Sequence, residues 1–299
     1  MTQSKKVFFI INRFSGTGYR ESLEGAIIDA CAGINYGCTI QHTQSRGHAT
    51  DLARQAAAEE FDMVFAVGGD GTVNEVAQGL IGTNVAMGIL PKGSGNGLAR
   101  HLGIPMKFNE ALKLMSSSQT INMDTMSVNG KLSVNVSGIG FDGHVAGLFG
   151  KDGKRGLTGY TRLVLKEFIS YKELPAKVTV DGTPHETSSF IIALANSSQF
   201  GNNARVAPLA SVCDELIDVC FIRKVPFSHV IGFATKMFTG ALDKSSLVDI
   251  RKGRKIQLDF GKPVAFHIDG EPQEPVSSFD VRIDPGRLKM LVPSHRKKV

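Results

Sequence analysis

The sequence lacks several features that would place it in other classes of protein. It has no run of 18 or more apolar residues, so we predict no membrane-spanning helix. Its four cysteines show no CxxC spacing, which argues against a zinc site and favours reduced, mostly buried thiols in a cytosolic protein. The basic, then apolar N-terminus has no small-residue cleavage site, so we predict a first strand there. The sequence has no interleaved aromatic and basic residues, so it gives no indication that nucleic acid is a partner.

The composition describes a soluble globular protein of more than one domain. The chain has 299 residues, of which 42% are hydrophobic and 21% charged, enough for two domains with a core each. The net charge is +6, and basic residues concentrate at 251–255 and 295–298. These clusters are either solvated surface charges or sites that attract anionic lipid headgroups, at about 1 kcal/mol per residue near a membrane surface.

Residues 61–75, FDMVFAVGGDGTVNE, are the centre of the functional interpretation. The first half is apolar and β-favouring, and the helix start predicted at Val73 follows a glycine-rich turn. Three glycines in four positions let backbone N–H groups approach a bulky anion, and the helix directs its positive end to the same place. Asp70 would repel a phosphate there unless a divalent cation bridges the two, or unless the carboxylate takes a proton from an attacking hydroxyl. The stretch therefore predicts a nucleotide-dependent phosphotransferase; the alternative is a tight turn in an ordinary α/β protein.

A second strand, glycine turn and helix follow at residues 85–100. Two such turns at the carboxyl ends of neighbouring strands predict the crevice of an open α/β sheet. The alternation of strands and helices up to about residue 116 predicts a parallel, doubly wound sheet. The other predicted elements of this part are strands at 5–12 and 38–43 and helices at 21–32, 50–59 and 73–81.

From about residue 125 the pattern changes to a mainly antiparallel β domain. We therefore place the domains at 1–124 and 125–299. The last strand either stays in the second domain or returns to the first. The Asn129-Gly130 pair predicts a hairpin. Only two helices are predicted, at 158–171 and 227–242; the second, apolar around much of its circumference, is either a lipid-facing lid or packed on the β domain. The predicted strand segments are 131–139, 176–182, 188–196, 216–223, 247–251, 256–268 and 279–292.

Several motifs resemble those of one enzyme family. Residues 68–72, GGDGT, resemble the signature of the diacylglycerol kinase-like catalytic domain, shared by diacylglycerol, sphingosine and ceramide kinases and their bacterial relatives. The shorter GGDG also marks NAD kinases and phosphofructokinases. Residues 12–16 resemble the family's Asn-Pro-x-Ser-Gly loop, with arginine replacing proline, and residues 43–49 resemble Thr-x-x-x-Gly-His-Ala. Residues 90–96, LPKGSGN, resemble the sphingosine and ceramide kinase form, and Gly97 stands where many bacterial relatives have aspartate.

The resemblance extends into the β domain and so covers nearly the whole chain. It implies an α/β nucleotide domain, a C-terminal mainly antiparallel β-sandwich domain that binds lipid, and an active site in the cleft between them. The family-like landmarks of the second half are Met123-Asp124-Thr125, residues 135–142, Asn196 with Gly201, and residues 267–271, HIDGE.

The resemblance also implies roles for individual residues. Asn12, Thr43 and Glu75 would line the nucleotide, and Arg155 is either a phosphate contact or a surface charge. Asp70 and Asp269 would meet Mg²⁺. The general base is either Glu271, which we favour slightly, or Asp70. His48 and His267 are interpreted as structural residues. The residues implied to hold the ATP phosphates are Gly68, Gly69, Gly71, Thr72, Gly93, Ser94, Gly95 and Asn96.

The preferred interpretation is an ATP-dependent lipid kinase of the cytoplasm that attaches reversibly to the membrane surface; a homodimer stays an alternative. Sphingosine kinases carry an aspartate that pairs with the substrate ammonium, and His144 takes that place here, which favours diacylglycerol or another neutral lipid. Other hypotheses are a sphingoid-base or ceramide-type kinase, an NAD kinase, and a non-catalytic regulator. The second half lacks a GPTGSTAY-like NAD kinase segment, and retention of Asp70, Asp269 and Glu271 argues against a regulator.

Overall fold

A computed structural model describes residues 4–16, 21–149 and 167–294 of the chain. It divides the chain into two units, one formed by Met1–Thr125 with Pro285–Val299 and the other by Met126–Asp284. The basic cluster at 295–298, Arg155 and most of the predicted helix at 158–171 lie outside the described residues.

The first unit contains a parallel sheet, as the sequence predicts. β1 pairs with β2 on one side and with β3 on the other, and β3 pairs with β4, all in parallel. β3 is buried along its whole length, as expected for an apolar strand covered on both faces. The end of the last strand returns to this unit, where Met290 pairs in parallel with Met87 of β4. The strands are β1 (Lys6–Ile11), β2 (Gly37–His42), β3 (Met63–Gly68) and β4 (Ala86–Pro91).

Helices connect these strands and begin close to the predicted positions. α3 is the exception, because it begins at Asp70 and not at Val73. Gly69 is its extended N-cap residue, and an aspartate in the first turn is stabilised by the positive end of the helix. The helices are α1 (Ser22–Gly33), α2 (His48–Ala58), α3 (Asp70–Leu80), α4 (Gly97–His101), α5 (Phe108–Leu112) and α6 (Leu114–Ser117).

The second unit is mainly antiparallel, again as predicted. Its strands follow the order β12-β11-β10-β7-β13-β14, and β8 pairs with β13 and β9. An apolar core of aliphatic residues and phenylalanines lies beneath these strands. The strands that follow β4 are β5 (Ser118–Val128), β6 (Lys131–Ser133), β7 (Val136–Gly140), β8 (Leu174–Val180), β9 (Thr183–Ser189), β10 (Ile191–Ala195), β11 (Ile217–Ile222), β12 (Val248–Gly253), β13 (Lys255–Ile268) and β14 (Glu271–Pro293).

Two-residue turns with positive φ close three of the hairpins, at Asn129-Gly130, Asp181-Gly182 and Asp269-Gly270. Asn129-Gly130 has φ of 49° and 79°, which confirms the hairpin predicted from that pair. Asp181-Gly182 forms a second turn of this kind, with φ of 46° and 83°, and joins β8 to β9. β9 was not predicted, because its sequence TPHETSS is polar and lacks the apolar alternation of a half-buried strand.

The expectation of only two helices in the second unit was wrong. α7 (Phe141–Phe149) begins directly after Gly140 and contains Gly143 and Gly147, which lower its intrinsic helix propensity. Gly143 is needed there because a Cβ would overlap the backbone of Phe266. Of the predicted helix at 158–171, residues 167–170 are helical.

The helix predicted at 227–242 is confirmed. It consists of α8 (Val230–Thr239) between two short 3-10 turns, Phe227–His229 and Leu242–Lys244. One face of α8 packs on the second unit through Phe233 and Met237, which supports the packed alternative for that face.

Two further expectations concern burial and length. The four cysteines are free, but only Cys31 and Cys220 are buried, so the expectation of mostly buried thiols holds for half of them. Within the described ranges, no helix has the length and apolar character that crossing a bilayer requires.

Candidate active site

Three loops of the first unit meet at the carboxyl ends of β1, β3 and β4. A Cβ on Gly93 would lie 2.6 Å from Cα of Gly69, so the two predicted glycine turns are in backbone contact. Gly16, with φ of 67°, packs on the third side, and a Cβ there would overlap the carbonyl oxygen of Lys92. The structure therefore brings together, within one unit, the three loops that the sequence analysis singled out separately.

Asp70 joins the two glycine turns. Its Oδ2 accepts the N–H of Asn96 at 2.9 Å, and its Oδ1 accepts the N–H of Gly97 at 2.7 Å. The Asp70 carboxylate, in the first turn of α3, thus fixes the position of the first turn of α4. A carboxylate offers about four lone-pair positions, so these two bonds are compatible with a metal-ligand role.

Asn96 closes the second turn on itself. It has left-handed backbone geometry, with φ of 52°, and its side chain makes two bonds to the backbone of Gly93. Oδ1 accepts the Gly93 N–H at 3.0 Å, while Nδ2 donates to the Gly93 carbonyl at 2.7 Å. The Asn96 side chain therefore shapes the turn, and its exposed neighbour Ser94 lies at the tip.

The predicted nucleotide contacts at the other strands lie at the same edge of the sheet. Asn12 donates from Nδ2 to Oγ1 of Thr72 at 3.0 Å, and its Oδ1 accepts the N–H of Phe14 at 2.9 Å. Thr43 is buried, and its N–H donates to the carbonyl of Ile11 at 3.0 Å. Gly71 and Thr72 lie in the first turn of α3.

Glu75 makes structural contacts. Its Oε2 accepts the N–H of Ala49 at 3.3 Å, and its backbone carbonyl accepts the hydroxyl of Thr50 at 2.8 Å. These bonds connect α3 to the start of α2, and the role of Glu75 as a nucleotide contact stays a prediction. His48 accepts the N–H of Gln44 at Nδ1, at 3.0 Å, which supports the structural role predicted for it.

Two cations beside the turns were missed by the sequence analysis. Lys92 connects the loops directly, because its N–H donates to the carbonyl of Gly68 at 2.8 Å. Burial lowers the pKa of its amine, as expected for a cation removed from water. Arg100 donates from Nε to the carbonyl of Gly95 at 3.0 Å. The position of Lys92 between a strand and a glycine turn could have identified it, because anion-binding turns commonly carry a lysine.

In the second unit, Asp269-Gly270 forms a hairpin turn between β13 and β14, with φ of 49° and 88°. The carboxylate of Asp269 is buried and accepts three bonds: Ser133 Oγ at 2.6 Å, Val134 N–H at 2.8 Å and Asn135 N–H at 3.1 Å. These three donors anchor the turn inside the second unit, and the metal and nucleotide roles implied for Asp269 stay predictions.

Further landmarks of the second half belong to the same buried polar network. Asn196 donates from Nδ2 to the carbonyl of Val134 at 3.1 Å, and its N–H donates to the carbonyl of Asn135. Ser197 donates its hydroxyl to Oδ1 of Asn135. These residues are far apart in sequence, and together they hold the strand ends against which the Asp269 turn is anchored.

His267 orients the same turn. Its Nδ1 accepts the N–H of Gly270 at 3.1 Å, and its Nε2 lies 3.3 Å from Oδ2 of Asp142. An acceptor at Nδ1 places the ring proton on Nε2, facing the carboxylate. His267 is therefore a satisfied structural residue, as predicted. Glu271 follows the turn and is exposed, which leaves its carboxylate accessible to a substrate.

His144 has a carboxylate partner that the sequence analysis did not identify. Its Nε2 lies 2.9 Å from Oε2 of Glu167, and its ring is 5.1 Å from that of Tyr171. Burial raises the pKa of Tyr171 to about 12, and the charge of Asp142 adds to the shift. The imidazole is thus held in an aromatic and acidic environment.

The basic cluster at 251–255 is largely neutralised. Arg251 pairs with Asp249 at 2.9 Å, and Arg254 pairs with Glu215 at 2.5 Å. Lys252 lies 3.1 Å from Asp214 and 3.2 Å from the buried carboxylate of Asp218. These pairs support the alternative of ordinary surface charges over an anion-attracting cluster.

The glycine turns offer a divalent cation one carboxylate ligand, that of Asp70. In the part of the chain that the structure describes, no three His, Cys, Asp or Glu side chains form a metal cluster. Mg²⁺ is usually held by one or two carboxylates together with substrate phosphates and waters. Asp70 satisfies that requirement at the glycine turns, so the residues fit a metal that arrives with a nucleotide.

Comparison with known sequences matches a domain family to each unit. Residues 6–128 match the diacylglycerol kinase catalytic domain. Residues 136–292 match the YegS C-terminal NAD kinase beta sandwich-like domain. The chain belongs to the diacylglycerol kinase-like family of lipid kinases. The match of the first unit disfavours an NAD kinase, and the match of the second confirms the predicted β-sandwich.

Individual relatives of this lipid kinase agree. It is 26% identical over 274 residues to a diacylglycerol kinase of Bacillus subtilis (strain 168), covering 89% of this chain and 90% of the relative. A probable lipid kinase YegS of Salmonella arizonae is 27% identical over 263 residues, or 85% and 86% of the two chains. A putative diacylglycerol kinase from Bacillus anthracis str. Sterne shares the fold, with a TM-score of 0.81, 23% identity and coverage of 98% and 97%.

Proposed function

We propose that this kinase transfers the γ-phosphoryl group of ATP to the hydroxyl group of diacylglycerol or a related neutral lipid. The observation that carries the proposal is the Asp70 carboxylate spanning two glycine turns in backbone contact, in a chain of the lipid kinase family. Phosphoryl transfer requires mainly positioning and charge neutralisation.

The first turn of α3 supplies donors for the phosphates. Val73 is the first residue whose N–H has a backbone acceptor at the helix start, the carbonyl of Gly69 at 3.0 Å. The preceding amides of the helix have no intrahelical acceptor and lie at its positive end. The backbone N–H of Lys92 donates to Gly68 of the first turn, and its amine is proposed to supply positive charge to the phosphates. Asp70 is the residue that would hold Mg²⁺, which when bound would neutralise charge on the phosphates.

Glu271 is proposed as the general base that accepts the proton of the lipid hydroxyl. A metal-bound carboxylate is a poor proton acceptor, and Asp70 is already committed to two amides. We expect Glu271→Gln to lower kcat by about 10²–10⁴ while ATP binding stays nearly intact. Asp70→Asn should abolish nearly all activity, and any residual activity should require more Mg²⁺. A Glu271→Gln variant with near-normal kcat, beside a dead Asp70→Asn that binds Mg·ATP normally, would reverse the assignment.

The acceptor headgroup is proposed to be neutral because of His144. A sphingoid ammonium needs an uncommitted carboxylate, and the carboxylate of Glu167 is already paired with the imidazole at 2.9 Å. Phosphorylation of diacylglycerol and sphingosine in matched micelles tests this point. Greater activity on sphingosine would contradict it. The proposed setting is the cytoplasmic membrane surface, to which the kinase binds reversibly.

The function itself is tested by incubating γ-labelled ATP with a lipid extract and NAD and separating the products by chromatography. A lipid kinase places label in the lipid fraction, which identifies the acceptor. An NAD kinase places it in a water-soluble dinucleotide, and a non-catalytic regulator transfers none, so either result would refute the proposal.

A further inference from the structure

The helix α8 has two apolar faces, and only one of them is covered. Phe233 and Met237 pack on the core of the second unit, as described above. On the other side the exposed fractions are 68% for Phe227, 82% for Ile231 and 56% for Phe238. Ile231 and Phe238 are seven positions apart, which places them along one side of α8, and Phe227 lies in the 3-10 turn directly before the helix. We name Phe227, Ile231 and Phe238 the α8 stripe.

The stripe is continuous with a second apolar group of the same unit. The ring centroids of Phe227 and Phe168 are 5.9 Å apart. Ile169, which follows Phe168, is 66% exposed. Lys224 donates from Nζ to the carbonyls of Ile169 and Tyr171, at 3.0 and 2.7 Å, which ties this segment to the residues just before the helix. The exposed apolar surface thus extends beyond one helix.

Along the helix segment itself the charges are of one sign, while the acids beside the second apolar group, Glu167 and Glu173, are engaged by His144 and by the N–H of Lys224. Between residues 226 and 241 the sequence contains no aspartate or glutamate, and its ionisable side chains are His229 and Lys236. Arg223 and Lys224 precede the segment directly. Lys236 is anchored by a bond from Nζ to the carbonyl of Lys244, at 3.1 Å. A face of aliphatic and aromatic residues with cations at its borders is the pattern of a helix that lies in the interface of an anionic membrane.

We propose that the α8 stripe docks on an anionic bilayer, with Phe227, Ile231 and Phe238 at the boundary between headgroups and acyl chains. The inference rests on the proposed function in one respect, since a lipid acceptor has to be met at such a surface. A second copy of the chain is a poorer occupant, because residues 226–241 offer Lys236 and no aspartate or glutamate to pair with it across a two-fold interface. The paired charges at 251–255 make α8 the better candidate for membrane attachment.

The sequence contains no tryptophan, so a single introduced tryptophan reports on one position. Ile231→Trp is expected to show blue-shifted, stronger emission when vesicles of phosphatidylcholine and phosphatidylserine are added. Leu209→Trp is the matched control, because Leu209 is 67% exposed in the same unit but lies off α8, and its emission should not change. Unchanged emission of Ile231→Trp would overturn the proposal. An equal shift with phosphatidylcholine alone would overturn the anionic assignment, and a shift that follows protein concentration would identify a second copy instead.

Sedimentation with vesicles measures the contribution of the stripe. Each of Phe227→Ser and Ile231→Ser is expected to weaken binding about tenfold, with the melting temperature unchanged because both side chains are exposed. Undiminished binding of the double variant would overturn the proposal. Activity on a short-chain, water-soluble diacylglycerol separates membrane docking from kinase activity. If both proposals hold, the stripe variants phosphorylate this soluble substrate as the wild type does. Wild-type protein that inserts but never phosphorylates the lipid would refute only the proposed kinase activity.

Discussion

Adding one methyl group at Gly93 tests whether the two glycine turns must stay in backbone contact. The Cβ of Gly93→Ala would lie 2.6 Å from Cα of Gly69 and 2.9 Å from Oδ1 of Asn96, where ordinary contacts are 3.4–4 Å. Neither neighbour moves easily, because one is backbone and the other is fixed by two hydrogen bonds to Gly93 itself. We expect a loss of about 1–3 kcal/mol of folding free energy from overpacking.

The same displacement should weaken nucleotide binding. If the turns hold the phosphates, restoring their arrangement in the complex costs up to the strain energy, which corresponds to an ATP affinity lowered by up to about 10²-fold. Urea unfolding followed by circular dichroism and equilibrium dialysis with ATP measure the two effects. Gly25→Ala is the control: its Cβ has no atom within 4 Å, and it should stabilise α1 by about 0.5–1 kcal/mol without affecting ATP. Wild-type stability and ATP affinity in Gly93→Ala would refute the reasoning.

Two further predictions concern buried charges. Lys92→Met should lower ATP affinity about tenfold or more, because a charge-assisted bond to phosphate contributes about 1.5–3 kcal/mol, and unchanged affinity by calorimetry would remove Lys92 from the site. Burial raises the pKa of Asp218 from 3.8 to about 6, with the Lys252 charge opposing the shift, so the folded state binds the extra proton and stability falls as pH rises from about 4 to 6. Asp218→Asn should remove about 1–3 kcal/mol of that loss of stability, while Lys252 keeps Asp214 as a partner. Urea unfolding at both pH values measures the loss, and an equal loss of stability in the wild type and the variant would contradict the prediction.

Local patterns were sufficient to predict much of the fold. The buried strand before Gly68, the neighbouring strand before the second glycine turn, and the Asn129-Gly130 hairpin each depend on short-range composition. α7 was missed because tertiary contact with Phe266 selects glycine inside a helix, where propensity predicts none. β9 was missed because its pairing with β8 comes from a turn and not from apolar alternation.

The candidate site could be predicted as a set of residues but not as a set of bonds. Sequence motifs select carboxylates for a phosphotransferase without distinguishing Asp70, whose oxygens cap α4, from Asp269, whose oxygens accept three bonds inside the second unit. The charge pattern at 251–255 was equally ambiguous, because the acids that neutralise Lys252 and Arg254 lie at Asp214, Glu215 and Asp218, more than thirty positions earlier. Hydrogen-bond partners that are distant in sequence leave no local signal.

The most direct test of the central claim compares two positions of the label in ATP. The kinase is incubated with diacylglycerol micelles, Mg²⁺ and ATP labelled at either the α- or the γ-phosphate, and the lipid is extracted. Phosphoryl transfer at the Asp70 site predicts label in the lipid from γ-labelled ATP only, lost on chelation of Mg²⁺ and in Asp70→Asn. Unlabelled lipid in both reactions, or equal labelling by the Asp70→Asn variant, would contradict the account.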